Sequence, residues 1–149
     1  MKRDQPLVSV IIPTYGRDEK LVEAVRSVIE QTYDNIELFV VDDASPEPVE
    51  EHLSSVPLES LTAVRVIRHD ENRGANTARN SGIDAANGKY VAFLDDDDRW
   101  VETKLSRQVD TFETAGSEIG VVYTGIREEK PERTGIKTPN WRGTYSKSY

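Results

Sequence analysis

Residues 8–29 read VSVIIPTYGRDEKLVEAVRSVI, and the hydrophobic period changes partway through. Val8-Ser9-Val10-Ile11-Ile12 is a β-branched, nearly continuous apolar run closed by Pro13, the pattern of a strand buried on both faces. From Asp18 the apolar residues move to helical spacing. Leu21, Val25, Val28 and Ile29 fall at i, i+4, i+7 and i+8, with Asp18 and Glu19 suited to a first turn. A buried strand followed at once by an amphipathic helix is the first half of a parallel crossover unit.

The alternation continues outward. Ile36–Val41 reads as a second buried strand, and a short helix is expected around Glu47–Leu53. Val64–Ile67 is a third strand, and a small-residue helix over Ala75–Ala86 is stopped by Asn87-Gly88. Tyr90–Leu94, a helix over Val101–Ala115 and a fifth strand at Ile119–Tyr123 complete the series. Such an order predicts an α/β, Rossmann-like domain: a mostly parallel sheet with helices on both faces. Residues 1–126 are expected to form that domain. Residues 127–149, where only Ile136, Trp141, Tyr145 and Tyr149 are apolar, are expected to be a polar, flexible tail.

Composition narrows the class. The chain has 149 residues, 19 basic and 27 acidic, for a net charge of −8. That balance argues against nucleic acid or an anionic membrane as partner. Without cysteine there is no disulfide, no thiolate metal site and no thiol nucleophile. The longest apolar runs are far short of the ~18 residues that span a bilayer, so no direct membrane insertion is expected. MKRDQP has no apolar signal segment behind it, which points to a cytoplasmic location.

In a doubly wound sheet, ligands bind beyond the carboxyl ends of the strands, where strand order reverses. Pro13-Thr14-Tyr15, Asp42-Asp43, Asn72-Arg73-Gly74 and Asp95–Asp98 each follow a strand, so all four polar clusters fall on one edge. Four successive aspartates there raise one another's pKa unless a positive charge sits among them. Mg²⁺ or Mn²⁺ suits such an all-oxygen site. Side chains at i and i+2 share a face of an extended chain, so Asp95 and Asp97 would converge on one ion while Asp96 points elsewhere, toward a ribose hydroxyl. The bland alternative is a solvated loop with Asp98 capping the next helix. Asp42-Asp43 could accept from a base or ribose, or only cap a turn. Arg73 and Arg79, near a Gly-flanked helix start, could meet a diphosphate or pair with the aspartates. His52 and His69 are expected in surface or loop roles, and Trp100 as a packing anchor.

These segments, Val8–Tyr15, Val40–Ser45, Asn72-Arg73-Gly74 with Ala78-Arg79-Asn80, and Phe93–Asp98 with Trp100, together resemble the nucleotide-binding half of the family-two inverting glycosyltransferases of GT-A fold. Each is common alone. Their order from Leu7 to Ile126 carries the resemblance.

The resemblance implies that Pro13, Thr14 and Tyr15 line the base and that Asp43 hydrogen-bonds it, most often a uracil. Arg79 would lie near the ribose or diphosphate. Asp95-Asp96-Asp97 would be the DXD element, with Asp96 near the ribose and Asp97 the principal metal ligand. It implies inverting transfer from a nucleotide-sugar donor, a UDP-sugar, to a sugar or lipid-linked glycan acceptor, with Mn²⁺ or Mg²⁺ on the leaving diphosphate. The general base is expected outside this chain, because Glu128, Glu129 and Glu132 lie in a segment matching no motif. Contact with the inner membrane face would come through a missing part or a partner. Two readings follow: a fragment of a longer enzyme, or a donor- or protein-binding module that catalyses nothing. A phosphoryl-accepting receiver domain fits less well, since the acidic pair follows the second strand and Thr124–Arg127 supplies no lysine.

Overall fold

The computed structural model describes residues 5–115, 119–130 and 133–137. The chain divides into two compact units, Met1–Glu102 and Thr103–Tyr149.

In the first unit four strands form one all-parallel sheet: β1 (Val8–Thr14), β2 (Ile36–Asp42), β3 (Ala63–Arg68) and β4 (Tyr90–Phe93), in the order β3-β2-β1-β4. Every residue of β1 and β2 is buried, which is why both read as unbroken apolar runs instead of alternating ones. The edge strands β3 and β4 alternate between more and less exposed positions. Order reverses at β1, so the switch-point crevice lies beyond the ends of β1 and β4.

Connecting these strands are α1 (Asp18–Ile29), α2 (Glu50–Leu53), a 3₁₀ turn at Leu58–Ser60, and α3 (Ala75–Ala85). Ile11, Phe39 and Val41 lie on one sheet face and pack with Ala78 of α3. The approach is close. A Cβ on Gly82 would stand 2.5 Å from Ile11 Cγ2, so α3 needs a glycine there. By strand alternation Val10, Ile12, Leu38 and Val40 point to the other face, and all are fully buried. The fully buried stripe of α1, Leu21, Ala24, Val25 and Val28, supplies the matching apolar surface, so helices cover both faces as expected.

A buried carboxylate ties the amino ends of the strands together. Glu37, the second residue of β2, accepts from Ser9 Oγ at 2.5 Å and from the N–H groups of Asn87 at 2.7 Å and Gly88 at 3.1 Å. Burial would raise its pKa, but these donors hold it below the usual 4.5.

The second unit contains α4 (Lys104–Ala115) and an antiparallel pair, β5 (Ile126–Lys130) with β6 (Arg133–Lys137). The fifth parallel strand expected at Ile119–Tyr123 is absent among the described residues, and Val121 and Tyr123 are exposed. Four apolar residues in a run of five do not make a strand without a sheet edge to join. The hairpin instead falls within the polar stretch, from Ile126 to Lys137. Glu132 and residues 138–149 of the expected tail lie outside the described residues. No described helix is long and apolar enough to cross a membrane.

Candidate functional site

The carboxyl edge of the sheet gathers the polar clusters named from the sequence. Pro13 and Thr14 complete β1 and are buried, whereas Tyr15 is 51% exposed. Asp43 N–H donates to the Thr14 carbonyl at 2.9 Å, carrying the β1–β2 pairing past the strand end. Thr14 Oγ1 is buried and has no hydrogen-bond partner among the described residues.

Asp42 and Asp43 do different work. Asp42 is fully buried; its carboxylate accepts from Ser45 N–H at 2.8 Å and from Arg68, which also donates to the Ser45 carbonyl. Those bonds hold Ala44 at φ 65°, a conformation ordinarily left to glycine, and present Ser45 Oγ to the N–H of Gly16 at 2.9 Å. Asp43 is the centre of a second network. Its Oδ1 lies 2.7 Å from His69 Nδ1 and 2.9 Å from the N–H of Arg73, and its Oδ2 accepts from Gly74 N–H at 2.7 Å. Burial alone would raise the Asp43 pKa, but the Arg73 N–H, His69 and the Gly74 N–H together hold it below 3.8. Asp43 thus fixes the turn at the start of α3, where Gly74 adopts φ 85°.

His69 lies in a loop, as the sequence suggests, but not at the surface. It is buried, one residue past β3, with Nε2 2.9 Å from Ser81 Oγ. The rule that located the other clusters, one step beyond a strand's carboxyl end, would have located it.

Asp95–Asp98 form a turn, with Asp98 N–H donating to the Asp95 carbonyl at 3.1 Å. The extended-chain argument that brought Asp95 and Asp97 together does not apply to this turn, where the two meet different arginines. β4 ends at Phe93, and a turned chain does not keep the i, i+2 face of an extended one. Asp95 pairs with Arg79, while Asp96 and Asp97 share Arg17 Nη1 at 3.1 and 2.5 Å. Arginines supply the positive charge that the crowded carboxylates require. Asp96 and Asp97 in turn raise the Arg17 pKa above its ordinary value. Burial, with Asp97 and Asp95 nearby, pushes Asp98 up. Asp98 does not cap the next helix, which starts only at Lys104.

Of the two arginines named from the sequence, Arg79 reaches the acidic turn; Arg73 contributes its backbone N–H to Asp43, and its half-exposed side chain lies 3.7 Å from Glu71. Arg17, two residues past Tyr15, was missed. The backbone N–H of Trp100 donates to Ser27 Oγ at 3.1 Å.

No three His, Asp or Glu side chains among the described residues are gathered as a metal cluster. The donor set still suits a hard divalent cation: Asp95 and Asp97 are half-exposed carboxylates of one turn, each paired among the described residues with an arginine side chain that an ion could replace.

A parallel sheet with charged loops at its switch point is the architecture of a Rossmann-like α/β domain. The Glycosyl transferase family 2 model matches residues 9–148, and the chain belongs to that family. It is 37% identical to WfaP of Escherichia coli, a UDP-Glc:alpha-D-GlcNAc-diphosphoundecaprenol beta-1,3-glucosyltransferase, over 85% of this chain and 53% of that protein. The mannosyltransferase PcManGT of Pyrobaculum calidifontis, solved with GDP-Man and Mn²⁺, superposes with a TM-score of 0.70 at 28% identity, over 79% of this chain and 35% of that one. S. aureus TarS 1-349, solved with UDP, gives 0.65 at 26% identity, over 72% and 32%. The chain spans about half or less of the curated relatives it matches, 53% of WfaP and 41% of WfgD.

Proposed function

We propose that residues 1–126 bind the nucleoside diphosphate of a UDP-sugar at the β1/β4 switch point, as the donor half of an inverting glycosyltransferase. The observation that carries this reading is the pairing of Asp95, Asp96 and Asp97 with Arg79 and Arg17 at the crevice mouth. It places anionic and cationic groups side by side, as a metal-bound diphosphate requires. Pro13, Thr14 and Tyr15 would line the base. Asp43, already held by His69 and the N–H groups of Arg73 and Gly74, would also take a base N–H. Arg73 and Arg79 would face the diphosphate and Asp96 the ribose.

Mn²⁺ or Mg²⁺ would be held by Asp97 with Asp95, after both carboxylates leave their arginines. When bound, such an ion supplies charge stabilisation to the departing diphosphate. The residues of this chain orient the donor and hold its charge. A sugar or lipid-linked glycan hydroxyl would be the acceptor, and its general base would lie outside residues 1–126.

Titration with UDP, GDP and ADP in Mn²⁺ tests the donor assignment. UDP is expected to bind tightest, and Asp43→Ala to weaken it by about 1–3 kcal/mol, the cost of unmet hydrogen-bond groups. Equal affinity for the three nucleotides would overturn the uridine assignment. Tight UDP binding without any hydrolysis of UDP-sugar would favour a binding module over a transferase.

A further inference from the structure

Arg17 is half-exposed, stands just after β1, and bridges the two central carboxylates of the acidic turn. Its backbone is fixed from below: Gly16 turns at φ 62° and donates its N–H to Ser45 Oγ, while the Arg17 carbonyl receives the Leu21 N–H at 2.9 Å. The guanidinium is thus held by Asp96 and Asp97 above an anchored backbone. Three residues earlier Thr14 presents a buried hydroxyl with no partner among the described residues, the only such hydroxyl among them. That unmet group marks the same strand end as a place completed by a ligand.

We infer that Arg17 is the counter-cation of the acidic turn, displaced by the divalent ion and then available to pair with the donor's diphosphate. The inference rests on the proposed donor site. Without an ion, Arg17 neutralises Asp96 and Asp97 and competes with any cation for Asp97. With an ion bound, the same guanidinium faces the phosphate charge brought in by the nucleotide. Arg17 therefore opposes metal binding by itself and favours metal-nucleotide binding. It makes the site respond to the complex more than to free metal. The neighbouring Arg79 pairs separately with Asp95 and does not share this bridge.

The two effects have opposite signs, which a merely structural arginine would not produce. Mn²⁺ alone, followed by electron paramagnetic resonance of the free ion, should bind Arg17→Ala about three- to fivefold more tightly than wild type, as befits an exposed pair. Arg17→Lys, which keeps the charge, should stay near wild type. In saturating Mn²⁺, Arg17→Ala should bind UDP several-fold more weakly and uridine unchanged. Unchanged or weaker Mn²⁺ binding by Arg17→Ala, with binding lost in Asp97→Ala, would overturn the role of Arg17 and leave the donor site standing. Mn²⁺ binding indifferent to Asp97→Ala would overturn the metal site itself.

Discussion

His69 Nδ1 stands 2.7 Å from Asp43 Oδ1, joining the end of β3 to the end of β2 and, through Ser81, to α3. Asp43 and His69 lie 26 residues apart, and both are buried. The pair fixes the loops that follow β2 and β3, since Asp43 also holds the Arg73-Gly74 turn.

Because the folded-state pKa of Asp43 is depressed, its stabilising contribution is present above 3.8 and is lost as pH falls through the lower folded value. Thermal melts of wild type and Asp43→Asn should therefore differ most near neutrality and converge in acid. A constant difference across that range would show that the Asp43 charge is not what stabilises the turn.

His69→Ala removes one donor from Asp43 and one partner from Ser81. Unfolding free energy should fall by about 1–3 kcal/mol, as for leaving buried polar groups unmet. UDP affinity should fall with it, because the Asp43 carboxylate is no longer held in place. Stability lost with UDP affinity intact would separate His69 from the site.

Glu37 supports the opposite end of the sheet. Glu37→Ala leaves the Ser9 hydroxyl and the Asn87 and Gly88 N–H groups without their acceptor, and chemical denaturation should show a loss of about 1–3 kcal/mol. Nucleotide binding by the folded fraction should be unchanged, since none of these groups lies at the carboxyl edge.

Ala44 at φ 65° carries backbone strain that glycine would relieve. Ala44→Gly should raise stability by about 0.5–1 kcal/mol, the left-handed penalty less the entropy of a glycine. A destabilised variant would mean that the Ala44 methyl group packs more favourably than its backbone is strained.

The sheet was legible because β1 and β2 are buried on both faces, and such strands announce themselves as β-branched runs. The positions of Asp43, Arg73 and Asp95–Asp98 followed from the rule about strand ends. The partners of these residues did not. Arg17 meets Asp97 across 80 positions of sequence, and His69 meets Asp43 across 26, distances that no local period encodes. Glu37 lies inside the run read as a buried strand, and only the parallel register shows it beside Ser9. The fifth strand failed for a related reason: Ile119–Tyr123 has strand-like residues, but a strand exists only through a neighbour. For the aspartates it was the local geometry that the sequence did not show. Alternation holds while the chain is extended, and the turn at Asp95–Asp98 begins two residues after Phe93.

The central claim is that the acidic turn grips a metal-bound diphosphate. Calorimetric titration of UDP with and without Mn²⁺, on wild type and Asp97→Ala, tests it most directly. The account predicts that UDP binds wild type tightly only when Mn²⁺ is present, and that Asp97→Ala loses this dependence together with most of the affinity. Equal UDP binding by both proteins, or binding indifferent to Mn²⁺, would contradict it.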